Sequence, residues 1–374
     1  MKITTIEVYQ LDLPYSGGTY RLSQERDFSS FDGTFVRLMT DTGVEGWGES
    51  TPFGATYIAA HAAGLRAGLS EVAPGVLGRD PRAIDRLWDA MDANLAGHNH
   101  VKAAVDLAVW DLVGKALTLP VHALLGGSTG ERMAVISSIH AGNPEDMRAR
   151  VADHRARGYR GHSVKIGASE AEGGPALDAE RIQACLADRV AGEFFLADAN
   201  GGLSLEQALR LLALLPDGLD FVLEAPCASW LETLSLRQRC TVPIMLDELV
   251  LEDSDLVHLI RSDAADGLGL KITKAGGLTP ARRQRDICRA AGLVMSVQDT
   301  VGSTLSFAAL AHLGATVPGS LLRCILDVRD MVTLPVGYID APIEDGGILL
   351  GDAPGLGVDI DESLFTSPVA VYRL

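Results

Sequence analysis

The sequence predicts an α/β protein built as a parallel TIM-type (β/α) barrel, preceded by an N-terminal α+β domain that the C-terminal tail helps to complete. Three observations predict it. After residue 126 there are eight short apolar runs, with helical stretches between several of them. Before that point the apolar residues alternate every second position, as in strands with one buried face. No glycine-rich nucleotide fingerprint follows an early strand, which favours the barrel over the alternative of an open doubly wound sheet.

From residue 1 to about 125, the runs ITTIEVYQLDL and TFVRLMTDTG alternate, and the second turns at Thr42-Gly43 into VEGWGES, which reads as a β-meander. From Pro81 to Leu117, Ile84, Leu87, Trp88, Met91 and Leu95, then Val101, Val105, Leu107, Val109, Trp110 and Leu112, keep helical spacing and predict helices packed on that sheet. Past Leu124-Leu125-Gly126-Gly127 the predicted strands are 133–139, 161–167, 193–199, 219–225, 242–248, 265–272, 293–299 and 320–326. Helices are expected at Leu205 to Leu215, Asp253 to Ser262 and Thr279 to Ala291. The domain reading is 1–125, 126–334 for the barrel, and 335–374 as loops and short strands returning to the first part.

A chain of 374 residues exceeds the size at which one core stops growing, which agrees with two structural parts. The composition, 47% hydrophobic and 22% charged, is that of a packed globular protein. A net charge of −17 opposes binding to nucleic acid phosphates or anionic membranes, and neither partner is expected. Cys185, Cys227, Cys240, Cys288 and Cys324 form no CxxC pair and read as reduced, mostly buried thiols. The N-terminal run lacks the uninterrupted apolar stretch of a signal peptide, and no segment is apolar enough to span a bilayer, so a soluble cytoplasmic protein is expected.

Asp198, Glu224 and Asp247 sit near the ends of three successive predicted strands, in FFLADAN, FVLEAP and IMLDE, 26 and then 23 residues apart. One βα unit needs about that length, and in a barrel the carboxyl ends of the strands meet on one face. A single acid there could be a helix cap. Three in successive units would repel one another without a cation, and hard oxygen donors suit Mg²⁺. Lys165 ends the strand before this set and Lys271 the strand after it. A lone lysine at a strand end reads as a surface amine; two placed symmetrically about carboxylates read as bases, with pKa values expected to be depressed near the metal.

These residues resemble the enolase superfamily, in the muconate lactonizing enzyme and mandelate racemase branch, whose lysine or histidine bases work with Mg²⁺. The resemblance covers nearly the whole chain and rests on GWGE (Gly46 to Glu49), AAVDLAVWDLVGK (Ala103 to Lys115), the three carboxylates, and LKITKAGGLT (Leu270 to Thr279). It implies Asp198, Glu224 and Asp247 as Mg²⁺ ligands, Lys165 and Lys271 as acid/base groups on opposite faces of a carboxylate substrate, and a homo-oligomer. One departure stands out: the family often has Lys-x-Lys on the second strand, and here the first position is Ser163. The family's capping loops correspond to Tyr15 to Phe31 and Pro52 to Tyr57, making Tyr20 and Tyr57 candidate substrate contacts, as Ser163 also is.

Near the last barrel strands, the runs Gln298 to Ser303 and Leu322 to Asp327 are polar where substrate should lie, and Asp299, Thr300 and Asp327 are further substrate candidates, the two acids either binding a substrate ammonium or serving as caps or surface ion pairs. The runs GHNHVKAAVDLAVWDL, QDTVGST and LLRCILDVRDMV resemble enzymes acting on proline derivatives. Dehydration of cis-3-hydroxy-L-proline to a Δ1-pyrroline carboxylate is the favoured expectation; the alternative is 2-epimerisation of hydroxyproline or proline betaines. Betaine epimerases carry a tryptophan after the seventh-strand aspartate, for a cation–π contact, where this chain has Thr300-Val301-Gly302. A non-catalytic binding protein on the same fold is the remote alternative.

Overall fold

A computed structural model describes residues 1–374. Eight parallel strands close into a barrel, at Met133–Ile139, Gly161–Lys165, Phe194–Asp198, Val222–Glu224, Ile244–Leu246, Gly267–Lys271, Val294–Gln298 and Leu322–Leu326, the last pairing back on the first. All eight runs expected from the sequence are strands, in the expected order. Several are shorter than predicted, the residues at one or both ends belonging to the flanking loops.

The helices start where local chemistry stops the preceding loop. At Leu205–Leu214, Ser204 Oγ accepts from the Gln207 N–H at 3.2 Å while Gln207 returns a bond to the Ser204 N–H at 3.0 Å, a reciprocal cap. Pro144–Ala156 begins with Pro at the first turn behind the Asn143 cap.

In the N-terminal domain, Ile3–Pro14, Ser30–Thr40 and Glu45–Ser50 form an antiparallel meander, and the tail strand Ala370–Arg373 pairs with the first, placing Arg373 opposite Thr5. Helices Ile84–Asn94 and Asn99–Leu117 lie where the spacing predicted them. A third, Ala62–Val76, escaped the periodicity argument. Three glycines and Pro74 in its fifteen residues read locally as breakers, and only packing of Leu65, Leu69, Val72 and Val76 on the sheet overrides them.

The two parts are locked by the same motifs that carried the family resemblance. In GWGE, a side chain at Gly46 or Gly48 would collide with the backbone of helix Asn99–Leu117, so glycine sets the close approach of strand and helix. Glu49, fully buried, accepts from the Ser303 and Ser306 N–H groups and the Ser303 hydroxyl, capping the last barrel helix, Thr304–Gly314. Asp106, from the N-terminal domain, caps barrel helix Leu278–Ala291 through Thr279, with bonds of 2.9 and 2.6 Å. Gly277, at φ +118°, precedes that helix, and any side chain there would strike Asp106. Phe365 of the tail packs against Tyr9, Phe35 and Trp47, joining them to the hydrophobic core that runs on into the barrel.

The cysteines are unpaired and all but Cys240 are buried. No helix is long and apolar enough to cross a membrane.

Candidate functional site

The barrel register brings the candidate residues to one rim. Lys165 lies beside Asp198, and Asp198 beside Glu224, on adjacent strands; Asp247 follows the next strand immediately, and Lys271 ends the one after. Asp198, Glu224, Asp247 and Lys271 are each no more than 5% exposed. The lysine ammonium groups stand among the carboxylates. Lys165 Nζ is ion-paired with Asp198, Lys271 Nζ lies 2.6 Å from Asp247 Oδ2, and Lys274 Nζ lies 2.7 Å from Asp247 Oδ1.

These contacts set the electrostatics. Burial alone would push Lys165 down, yet Asp198, the Tyr20 hydroxyl and Glu224 raise it above the ordinary lysine value. Lys271 is likewise raised, by Asp247 and Glu248, against its own burial. Direct contact of amine and carboxylate is what raises them; the depressed values expected from the sequence belong to lysines beside a bound cation. Asp247 is held below the usual carboxylate range by Lys271 and Lys274, although burial opposes it. Glu224 goes the other way, pushed up to about 8 by burial and then by the charges of Asp198 and Asp247.

The donor set fits a hard cation. Glu224 Oε2, Glu248 Oε2 and Asn200 Oδ1 are buried and have no hydrogen-bond partner in the protein, so three oxygen ligands stand unmatched on this rim. The acidic side chains do not close into a ready-made cage at ligating distance, and Asp198 and Asp247 are paired with ammonium groups instead. Asp198, Glu224 and Asp247, with Glu248 and Asn200 beside them, are the groups that could hold Mg²⁺.

A narrow cavity above these strands is lined by Lys165, Lys271, Ser163, Asp299, Thr300, Tyr20 and Tyr57, together with Ser138, Asn200, Gln298 and the apolar Leu22, Phe53, Ile136, Leu326 and Met331. The N-terminal domain supplies its roof. The Tyr20 hydroxyl lies 2.6 Å from Ser138 Oγ, while the Tyr57 hydroxyl receives a bond from Lys271 and donates to Glu248 Oε1 at 2.7 Å and Asp247 Oδ2 at 3.1 Å. Thr300 Oγ1 donates to the Thr51 carbonyl at 2.7 Å, tying the seventh-strand loop to that domain. A larger depression of 540 Å³ at the opposite end of the barrel, among Arg132, Arg160 and Arg323, contains none of these groups.

The two acids considered for a substrate ammonium are engaged internally. Asp299 accepts from the Thr273 hydroxyl and from the Thr273 and Thr300 N–H groups, capping a turn beside the cavity. Asp327 does not line the cavity; Tyr159 and the Arg329 guanidinium, at 2.7 Å, occupy it. Residues that spacing did not reveal are Glu248, Asn200, Lys274 and Gln298. The first three sit within three residues of a candidate ligand or lysine, so proximity in sequence was the available signal; Gln298 opens the polar run that contains Asp299 and Thr300, which marked the segment but not this side chain.

A barrel of this closure, roofed by an N-terminal sheet and carrying acids and lysines on one rim, defines the enolase class of enzymes. Residues 29–126 match the mandelate racemase / muconate lactonizing enzyme N-terminal domain and residues 146–364 the enolase C-terminal domain-like family. The chain belongs to the mandelate racemase/muconate lactonizing enzyme family of the enolase superfamily and is an enzyme of that superfamily. It is 36% identical, over the full length of both chains, to the cis-3-hydroxy-L-proline dehydratase of Roseibium aggregatum. It is 27% identical to the N-succinyl-L-Arg/Lys racemase of Bacillus cereus, covering 97% of this chain and 96% of that one. Among solved structures, a mandelate racemase/muconate lactonizing enzyme relative from Roseovarius nubinhibens, complexed with magnesium, superposes with a TM-score of 0.98 at 57% identity over the whole of both chains. One from Aspergillus oryzae gives a TM-score of 0.93 at 54% identity, over 99% of each chain.

Proposed function

We propose that this enzyme removes the proton α to the carboxylate of a proline-type amino acid with Mg²⁺ bound, and that its reaction is dehydration of cis-3-hydroxy-L-proline. The observation that carries the reading is the single rim on which Lys165 and Lys271 flank Asp198, Glu224 and Asp247, with Glu224 Oε2 left without a partner. The magnesium-complexed relative supports the cation, and full-length similarity to a dehydratase supports the substrate.

When bound, Mg²⁺ supplies positive charge against which negative charge can build up on the substrate carboxylate. Asp198, Glu224 and Asp247 would hold it, which also relieves the repulsion that raises Glu224. Releasing Asp198 and Asp247 from their lysine pairs frees both amines. A lysine freed from its carboxylate and still buried loses the interaction that raised its pKa, so it can pass to the neutral form a base requires.

Stereochemistry assigns the two lysines complementary work. In cis-3-hydroxy-L-proline the hydroxyl shares a ring face with the carboxylate, so the α-hydrogen lies on the other face. One lysine takes the α-proton; the other, across the ring, gives a proton to the departing 3-hydroxyl. The C–O electron pair leaves with water, the Cα–H pair becomes a C2–C3 double bond, and the resulting enamine tautomerises to Δ1-pyrroline-2-carboxylate. Tyr20, Phe53 and Tyr57 exclude bulk water from this space. Ser163, Thr300 and Tyr20 would contact the ring; Asp299 supports the turn beneath them.

The test is an NMR time course in D₂O with Mg²⁺. Loss of cis-3-hydroxy-L-proline with growth of the pyrroline product is expected, and chelation with EDTA should stop it. Exchange of the α-proton with the hydroxyl retained and the C2-inverted isomer accumulating would instead establish an epimerase, a chemistry two opposed lysines also permit. Neither exchange nor consumption would end the proline reading.

A further inference from the structure

Gln298 ends the seventh barrel strand directly beside Lys271 in the sheet register. Its side-chain nitrogen uses both hydrogens, donating to Glu224 Oε1 and to Ser296 Oγ at 2.9 Å each. Ser296 Oγ lies in turn 3.0 Å from Cys324 Sγ, so a fully buried serine and cysteine anchor the amide from inside the barrel. Both neighbours of the amide nitrogen, Glu224 Oε1 and Ser296 Oγ, can accept, and a Glu224 holding a cation is ionised and can only accept, which orients the amide with nitrogen towards Glu224 and oxygen away from it. That oxygen receives no hydrogen bond from the protein and is not sealed off, and Gln298 lines the cavity between Lys165 and Lys271.

We infer that Gln298 is a positioning and specificity residue: its amide N–H locks Glu224 so that the free Oε2 faces the cation, while its carbonyl oxygen accepts an N–H from the ring ammonium of the substrate. This deepens the proposed function and rests on it. Asp299 and Asp327, the charged alternatives for the ammonium, are already held by Thr273, Thr300, Tyr159 and Arg329. A secondary amine carries the hydrogen this acceptor needs. A quaternary betaine carries none, and would leave the oxygen buried without a partner. The same side chain therefore links retention of the cation to choice of the free imino acid over its N,N-dimethyl counterpart.

The experiment is calorimetric titration of the full-length protein, first with Mg²⁺ alone and then, saturated with Mg²⁺, with L-proline and with N,N-dimethyl-L-proline. Wild type should prefer L-proline by at least about tenfold, and Gln298→Met, similar in volume but with neither donor nor acceptor, should bring the two ligands within about threefold. The same variant should weaken Mg²⁺ binding by about tenfold or more, the usual cost of losing a hydrogen bond to a metal ligand. Ser296→Ala, a milder change, should move both quantities in the same direction by less, and serves if the methionine variant does not fold. A merely structural role would lower the melting temperature in EDTA while leaving both quantities as they were, and that result overturns the inference. A preserved ligand preference alone removes the acceptor role, and an unchanged Mg²⁺ affinity alone removes the donor role. Wild type that binds Mg²⁺ but neither imino acid removes the proline reading and the acceptor role together, while the Mg²⁺ arm still decides the rest.

Discussion

Replacing Glu49 by Gln should destabilise the junction between the N-terminal sheet and the barrel by about 2–4 kcal/mol. Four donors converge on this carboxylate: the Ser303 N–H, the Ser303 hydroxyl at 2.6 Å, the Ser306 N–H at 3.2 Å and the Thr51 hydroxyl at 2.8 Å. An amide keeps one acceptor oxygen and turns an NH₂ towards the remaining donors. One or two buried N–H groups at the start of helix Thr304–Gly314 then lose their partner, at about 1–3 kcal/mol each. Part of that is returned, because burial raises the Glu49 pKa, showing that the charge is held at some cost in desolvation. Urea denaturation followed by both fluorescence and far-ultraviolet circular dichroism would measure the change and reveal any loss of coincidence between the two parts. Because Gln298, Asp299 and Thr300, which lead into Ser303, line the cavity, turnover should fall with stability. A variant within about 0.5 kcal/mol of wild type, the range of ordinary surface changes, would show that the cap is not what holds the junction.

Lys271→Ala should abolish turnover while ligand-induced thermal stabilisation with Mg²⁺ persists; unimpaired turnover would exclude this lysine as an essential base. Phe365→Ala should cost about 3–5 kcal/mol by opening a cavity against Tyr9, Phe35 and Trp47, read from the denaturation midpoint. His312 is pushed down to about 3 by burial and by neighbouring His122, from an ordinary value of 6.5. Between those values the unfolded chain binds a proton that the folded chain refuses, so its contribution is complete above pH 6.5 and is lost as pH falls. Between pH 7 and 5 it accounts for about 2 kcal/mol of lost stability, and His312→Gln should flatten the profile by that order. An unchanged slope would mean that His312 takes up its proton in the native state.

What could be read from the chain in advance was whatever depends on period and segment length. Eight buried strands, the acids at three consecutive strand ends and the flanking lysines follow from such local patterns. The helix Ala62–Val76 did not, because its glycines and Pro74 argue against helix until a sheet is present to cover its apolar face. Asp327 was legible only as a choice between binding an ammonium and serving as a cap or ion-pair partner, and the structure shows the second. Arg329 stands two residues away in sequence, but only the 3₁₀ turn at Val328–Met331 bends it back onto the carboxylate. The raised lysines were hidden for another reason: the sign of such a shift depends on whether a cation or an amine faces the carboxylate, which no spacing encodes. Gln298 lay in a polar run expected near the substrate, but its bond to Glu224 was not readable, because the direction of a strand-end side chain follows from the stagger of the whole barrel.

The pairing of Ala370–Arg373 with Ile3–Pro14 has a consequence for biosynthesis. A ribosome delivers Ile3–Pro14 long before its neighbour, so until Ala370–Arg373 emerges the nascent sheet presents a bare hydrogen-bonding edge to whatever else is in solution. Joining residues about 365 positions apart is a slow, entropically costly contact, and it can form only after the intervening barrel has brought the ends together. Truncating the last few residues should thus act most strongly on yield and aggregation during expression, at a point in the molecule far removed from the chemistry.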